Sequence, residues 1–164
     1  MARSKIKHFK GFSIVDGDIR VTLNMNRFER QFQRAQYQLD GAVMNSMVPF
    51  MPMVTGSFIN ATRAASAAVQ GSGEVYAAYG PQGRFLYEGK TMVDEKTGST
   101  WARRGAKKVL VSEFGGKTNA KPDLTYTRQA HPKAQAHWFD AAKKKDGKKW
   151  VRGVKETAGG GWRG

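Results

Sequence analysis

Apolar and polar side chains alternate through Phe12-Ser13-Ile14-Val15 and again through Ile19-Arg20-Val21-Thr22-Leu23, with Asp16-Gly17-Asp18 between them. A period of two on either side of an Asp-Gly pair predicts a β-hairpin, because alternate residues of a strand share a face. The period then changes. Phe28, Phe32, Ala35, Leu39, Ala42 with Val43, and Met47 recur at three- and four-residue steps, and Arg27, Arg30, Gln31, Arg34 and Gln38 fall between them. This spacing predicts an amphipathic helix of about five or six turns ending before Pro49. Asn26 followed by Glu29 has the spacing of a capping box at its start.

Pro49 and Pro52 interrupt the chain, and Thr55 is placed to cap a short helical turn. The alanine-rich stretch 62–69 suits either helix or strand. The Gln70-Gly71-Ser72-Gly73 turn and the following Glu74-Val75-Tyr76-Ala77 favour two antiparallel strands. Arg84 to Glu88, closed by Gly89, reads as a helical turn. Residues 90–127 hold four glycines and one apolar run, Val109-Leu110-Val111, and are expected to form an extended loop or arm. A second helix is expected near 134–156, weakened midway by Gly147. The expected fold is therefore α+β: a small antiparallel sheet packed against a long amphipathic helix and a C-terminal helix, with an extended loop arm. Residues 1–10 are expected as a flexible basic arm, 11–156 as one domain, and 157–164 as a flexible glycine-rich tail.

Composition narrows the chemistry. The chain has 164 residues, no cysteine and 28 basic against 13 acidic residues, a formal net charge of +15. Disulfides and thiolate metal sites are excluded. No apolar stretch approaches a membrane span, and the basic start lacks the apolar core of a signal peptide, so no membrane association is expected. Sixteen Lys or Arg against five Asp or Glu fall between Trp101 and Gly164. Two clusters carry most of this excess: Arg103, Arg104, Lys107 and Lys108 beside Trp101, and Lys143, Lys144, Lys145, Lys148 and Lys149 in the expected last helix. Such clusters either keep a surface solvated or face the phosphates of DNA without reading its sequence.

Catalytic patterns do not emerge. His131 and His137 are six residues apart, which matches no familiar zinc spacing, and His137 beside Trp138 reads as a packed or interface histidine. Asp16 with Asp18 lies on a turn, and Asp94 with Glu95 in an expected loop. Neither a phosphate-binding glycine loop nor a nucleophile–base arrangement can be recognised. No enzyme activity, cofactor or metal is expected.

Four segments carry a family resemblance: Pro52 to Phe58 with its Thr-Gly step; Tyr79 to Asp94; Lys96 to Gly105; and His131-Pro132 with His137-Trp138-Phe139. In order, they resemble the minor capsid proteins of long-tailed bacteriophages, relatives of neck or tail-completion proteins, across roughly residues 49–155. The resemblance implies a structural virion protein without catalytic residues. It would form a homo-oligomeric ring of six- or twelve-fold symmetry at the head-to-tail interface, assembled in the host cytoplasm. Its expected partners are the connector or stopper, the tail terminator or tail tube proteins, and double-stranded DNA in passing. Phe85, Tyr87, Trp101, Trp138 and Phe139 are the residue types that anchor such interfaces; the alternative is that they fill a monomer's core, a reading of equal weight for Phe85 and Trp138. The alternative is a non-specific nucleic-acid-binding protein.

Overall fold

The structure is a computed structural model and describes residues 12–16, 19–23, 26–101 and 103–159. The expected arm 1–10, the turn residues 17 and 18 and the last five tail residues lie outside that set. Among the described residues the chain is α+β, with four α-helices and two separate two-stranded antiparallel sheets. The chain divides into two compact units. The first comprises Met1–Ser46, Arg63–Tyr76 and Ala142–Gly164, the second Met47–Thr62 and Ala77–Ala141.

The first unit contains the hairpin that the alternation predicts. Strand β1 (Phe12–Asp16) pairs with β2 (Ile19–Leu23), with Phe12 opposite Leu23 and Ile14 opposite Val21. Helix α1 (Asn26–Met47) follows. Burial along it concentrates in the later turns, at Ala35, Asp40 and Met44, whereas Phe28 is 49% exposed. A 3-10 turn over Val48–Phe50 takes up Pro49 where the α-helix ends, since proline cannot donate the next helical hydrogen bond.

Helix α2 (Ser57–Ala68) corrects the expectation of strands at 62–69 and 74–77. Ile59, Thr62 and Ser66 are buried and share one face at helical steps of three and four. Alanine, the strongest helix former, fills much of the remainder. The glycine turn that suggested a hairpin instead terminates this helix. Gly71 and Gly73 have φ of 90° and 80°, and their N–H groups donate to the buried Asp40 carboxylate of α1 at 2.7 and 3.2 Å. Ser66 Oγ then holds the next segment, accepting from Tyr76 N–H and donating to its carbonyl.

Helix α4 (Trp138–Ala158) starts four residues later than expected and runs into the expected tail. Ala134 belongs to a turn closed on the His131 carbonyl, and His137 adopts a left-handed φ of 49°, which stops helix propagating backwards. Within the first unit, Trp150 Nε1 donates to Ser46 Oγ at 3.1 Å and Thr157 Oγ1 to Gln38 Oε1 at 2.6 Å. Partner numbers fall along α1 as they rise along α4, so the two helices are antiparallel there.

The second unit is built around Trp138, which is fully buried. Its ring meets Tyr87 edge-on at 4.9 Å and Phe58 at 6.0 Å, and its indole N–H donates to the Ala77 carbonyl at 2.7 Å. Helix α3 (Gly83–Glu88) supplies Tyr87 and is closed by Gly89 at φ 72°, as the sequence pattern predicts. Leu86 accepts from the Tyr126 hydroxyl, and Tyr87 from the backbone N–H of His137. His131 Nδ1 lies 2.8 Å from the Met51 carbonyl oxygen; a carbonyl can only accept, so Nδ1 carries the proton.

The stretch 90–127, expected as an extended arm, is largely irregular but folds back on itself. Strand β3 (Met92–Asp94) pairs with β4 (Lys108–Leu110), which arises from the apolar run at 109–111. Val93 of β3 is fully buried.

Trp138→Ala should destabilise the protein by about 3–5 kcal/mol, because it empties the largest buried site and removes two ring contacts. Trp138→Phe should cost less while leaving the Ala77 carbonyl unpaired, roughly 1–3 kcal/mol from that source. Urea unfolding followed by circular dichroism ranks the two.

Candidate interaction surfaces

The side chain that shapes the most exposed part of the second unit is an acid. Asp94 ends β3 and is fully buried. A buried carboxylate must be satisfied from within, and this one is satisfied five times. Oδ1 accepts from the N–H groups of Lys96 at 2.9 Å and Thr97 at 3.1 Å, and from Arg103 Nη2 at 3.2 Å. Oδ2 accepts from Arg103 Nε at 3.1 Å and from Arg103 N–H at 3.4 Å. The Arg103 guanidinium, followed by the Lys96 N–H, holds the carboxyl well below the usual carboxylate range, and burial opposes this only in part.

The backbone follows the carboxylate. Asp94 N–H donates to Ser99 O, Gly98 N–H to Asp94 O and Glu95 N–H to Lys107 O. Gly98 has φ 66°, and a Cβ there would stand 2.5 Å from the Phe114 ring, so only glycine fits. Trp101 N–H bonds Ser99 Oγ, and Lys108 Nζ bonds Thr100 O. The result is a loop pinned on both sides of Trp101 while the Trp101 side chain projects outward, 87% exposed. Arg104 and Lys107 are exposed beside it and make no ion pair among the described residues.

A groove of about 510 Å³ in the same unit is lined by Phe85, Leu86, Met92 and Leu124 among apolar residues, with Lys90 and Lys108. Lys90 is paired with Asp123 at 2.8 Å.

The aromatic residues expected at an interface therefore divide. Trp101 is free to contact a partner, and Phe85, half-buried, lines the groove. Trp138 is corrected to a core residue because its whole surface is already covered. Tyr87 is half-buried against Trp138 and His137; burial, then Asp140 and Glu88, push its hydroxyl pKa up. Phe139 is half-buried. His137 Nε2 stands 3.7 Å from Glu88 Oε2, an ion pair when the imidazole is protonated.

The cations divide as well. Arg103 is exposed, but its guanidinium is engaged by Asp94 through Nε and Nη2. Lys143, Lys144, Lys145, Lys148 and Lys149 all lie exposed on α4 in the first unit. Lys149 pairs with Asp146 at 3.2 Å, and this contact, helped by Ser46, holds the Asp146 carboxyl below its usual range. Arg152 lies 3.9 Å from Glu156.

Asp94 was legible only as an acid in a loop. The signal that could have singled it out is the order Asp94-Glu95-Lys96-Thr97-Gly98, an Asp whose carboxylate can take the N–H groups two and three residues on, with a left-handed glycine closing the turn. No protein-family model matches the chain, and no curated protein or solved structure matches it at a significant level. Among the described residues no three His, Asp or Glu side chains gather to hold a metal, and no helix is long and apolar enough to cross a membrane.

The Asp94 carboxyl titrates lower in the folded chain than in the unfolded one, so its contribution to stability is complete above the ordinary aspartate value and lost as pH falls below it. Stability of the wild type should therefore fall between about pH 5 and pH 2 more steeply than that of Asp94→Asn, which should be less stable at neutral pH. Urea midpoints measured across that range test this; parallel pH profiles would remove Asp94 from the account.

Proposed function

We propose that this chain is an architectural subunit of the head-to-tail interface of a tailed bacteriophage, docking on neighbouring virion proteins through the Trp101 loop. The exposed Trp101 carries the reading. A tryptophan with most of its surface in water, on a loop pinned by Asp94, is an anchor already held in one conformation, and its binding costs little ordering entropy. A flexible loop would gain much less from the same side chain.

The arrangement of the resembling segments supports the phage reading. All four lie in the second unit. Phe58, Tyr87 and Trp138, from the first, second and fourth of them, meet ring to ring, while Asp94 joins the second segment to Arg103 of the third. Segments that resemble one family in order thus also form one packed body. In this reading the chain assembles as a ring of six or twelve copies between the connector and the tail terminator or tail tube proteins, and its work is done by contact.

Trp101→Ala should leave the isolated protein's stability within about 0.5 kcal/mol, as expected for an exposed position, yet sharply reduce its incorporation into particles. Mass spectrometry of purified particles from wild-type and variant phage measures this. Absence of the wild-type chain from particles would overturn the proposal; full incorporation of the variant would remove Trp101 as the anchor.

A further inference from the structure

We infer that the exposed face of α4 is a sequence-independent binding surface for the phosphate backbone of duplex DNA. The inference stands on the first unit alone and does not need the head-to-tail reading.

Lys144, Lys148, Arg152 and Lys155 follow one another at steps of four, four and three, so they form a row along a single helical face. At 1.5 Å per residue the row runs about 16 Å, a length over which a duplex presents roughly nine or ten phosphate charges. All four residues are exposed. Among the described residues Lys144, Lys148 and Lys155 make no ion pair, and the contact of Arg152 with Glu156 is long and solvent-exposed. Like charges at these spacings repel and weaken the helix that carries them, and Gly147 and Gly153 weaken it further. A polyanion laid along the row removes the repulsion.

Other anions fit less well. An amphipathic cationic helix can lie on an acidic membrane only if its apolar face is free. In α4 that face turns to α1: Ala142 is buried, and Trp150 Nε1 donates to Ser46 Oγ of α1. Single-stranded nucleic acid is gripped by stacking its bases on exposed aromatics, whereas the large apolar residue exposed on this helix is Val151. The Trp101 loop is the weaker candidate for a duplex, because Asp94 occupies Arg103 and Thr100 O occupies Lys108.

The test is fluorescence anisotropy of a labelled duplex of about 20 base pairs with the full chain at several salt concentrations. Wild type should bind weakly, with log K falling against log salt at a slope of about −3 to −4, as four phosphate contacts require. The triple variant Lys144→Gln, Lys148→Gln, Lys155→Gln should flatten that slope by about 2.7 and weaken binding on the order of tenfold or more at low salt. Glutamine is nearly as good a helix former as lysine, so the fold should survive, which circular dichroism verifies. A control with equal net charge, Lys117→Gln, Lys121→Gln, Lys133→Gln, should bind like wild type. Equal loss in the control and the α4 variant would reduce the effect to overall charge and overturn the inference. So would unchanged binding by the α4 variant, tighter binding of a single strand of the same length, or binding to anionic phosphatidylserine vesicles in place of the duplex.

Discussion

A carboxylate sealed from water governs the part of this protein that meets the outside. Asp94 has lost its hydration completely, and the cost of that loss is offset only while Lys96, Thr97 and Arg103 all keep their donors in place. The constraint runs outward. With both ends of the loop bonded to one side chain, the intervening backbone has a single shape, and an exposed indole can sit on it without disordering it. Replacing such an ion pair by apolar groups could leave stability unchanged, but the loop would lose the template that sets its path.

The first unit uses the same device without an arginine. Asp40 lies buried on α1 and gathers the N–H groups of Gly71 and Gly73 and the Gln36 amide. It fixes a turn whose glycines have no side chain with which to fix themselves. In both units, then, a buried acid in a strongly basic protein organises backbone N–H groups.

What could be read from the sequence follows the range of the interactions involved. The first hairpin, α1 and the Gly89-closed α3 depend on periodicity and on neighbours in sequence, and they form where the pattern places them. Helix α2 was misread because the residues that bury it are small or polar: Thr62 and Ser66 face inward and donate or accept within the fold. Strand β3, three residues long, has too few positions to display a period. The roles of Trp138 and Arg103 were beyond reach for another reason. Tryptophan in a core and tryptophan at an interface look alike in sequence, and here the partners that decide the matter, Phe58 and Ala77, are many residues away.

The two units are also interleaved along the chain, and this bears on how the protein comes to be folded during synthesis. The first unit draws on residues before 47, between 63 and 76, and after 141, so α1 finds its antiparallel partner only once α4 has been made. The groups that close the second unit around Trp138 likewise arrive late, at the end of the 77–141 stretch. The second unit is complete in sequence at residue 141, whereas the first must wait for α4. The nascent polypeptide must wait with its apolar stripe uncovered, a circumstance in which a high positive charge, by keeping neighbouring chains apart, is itself protective.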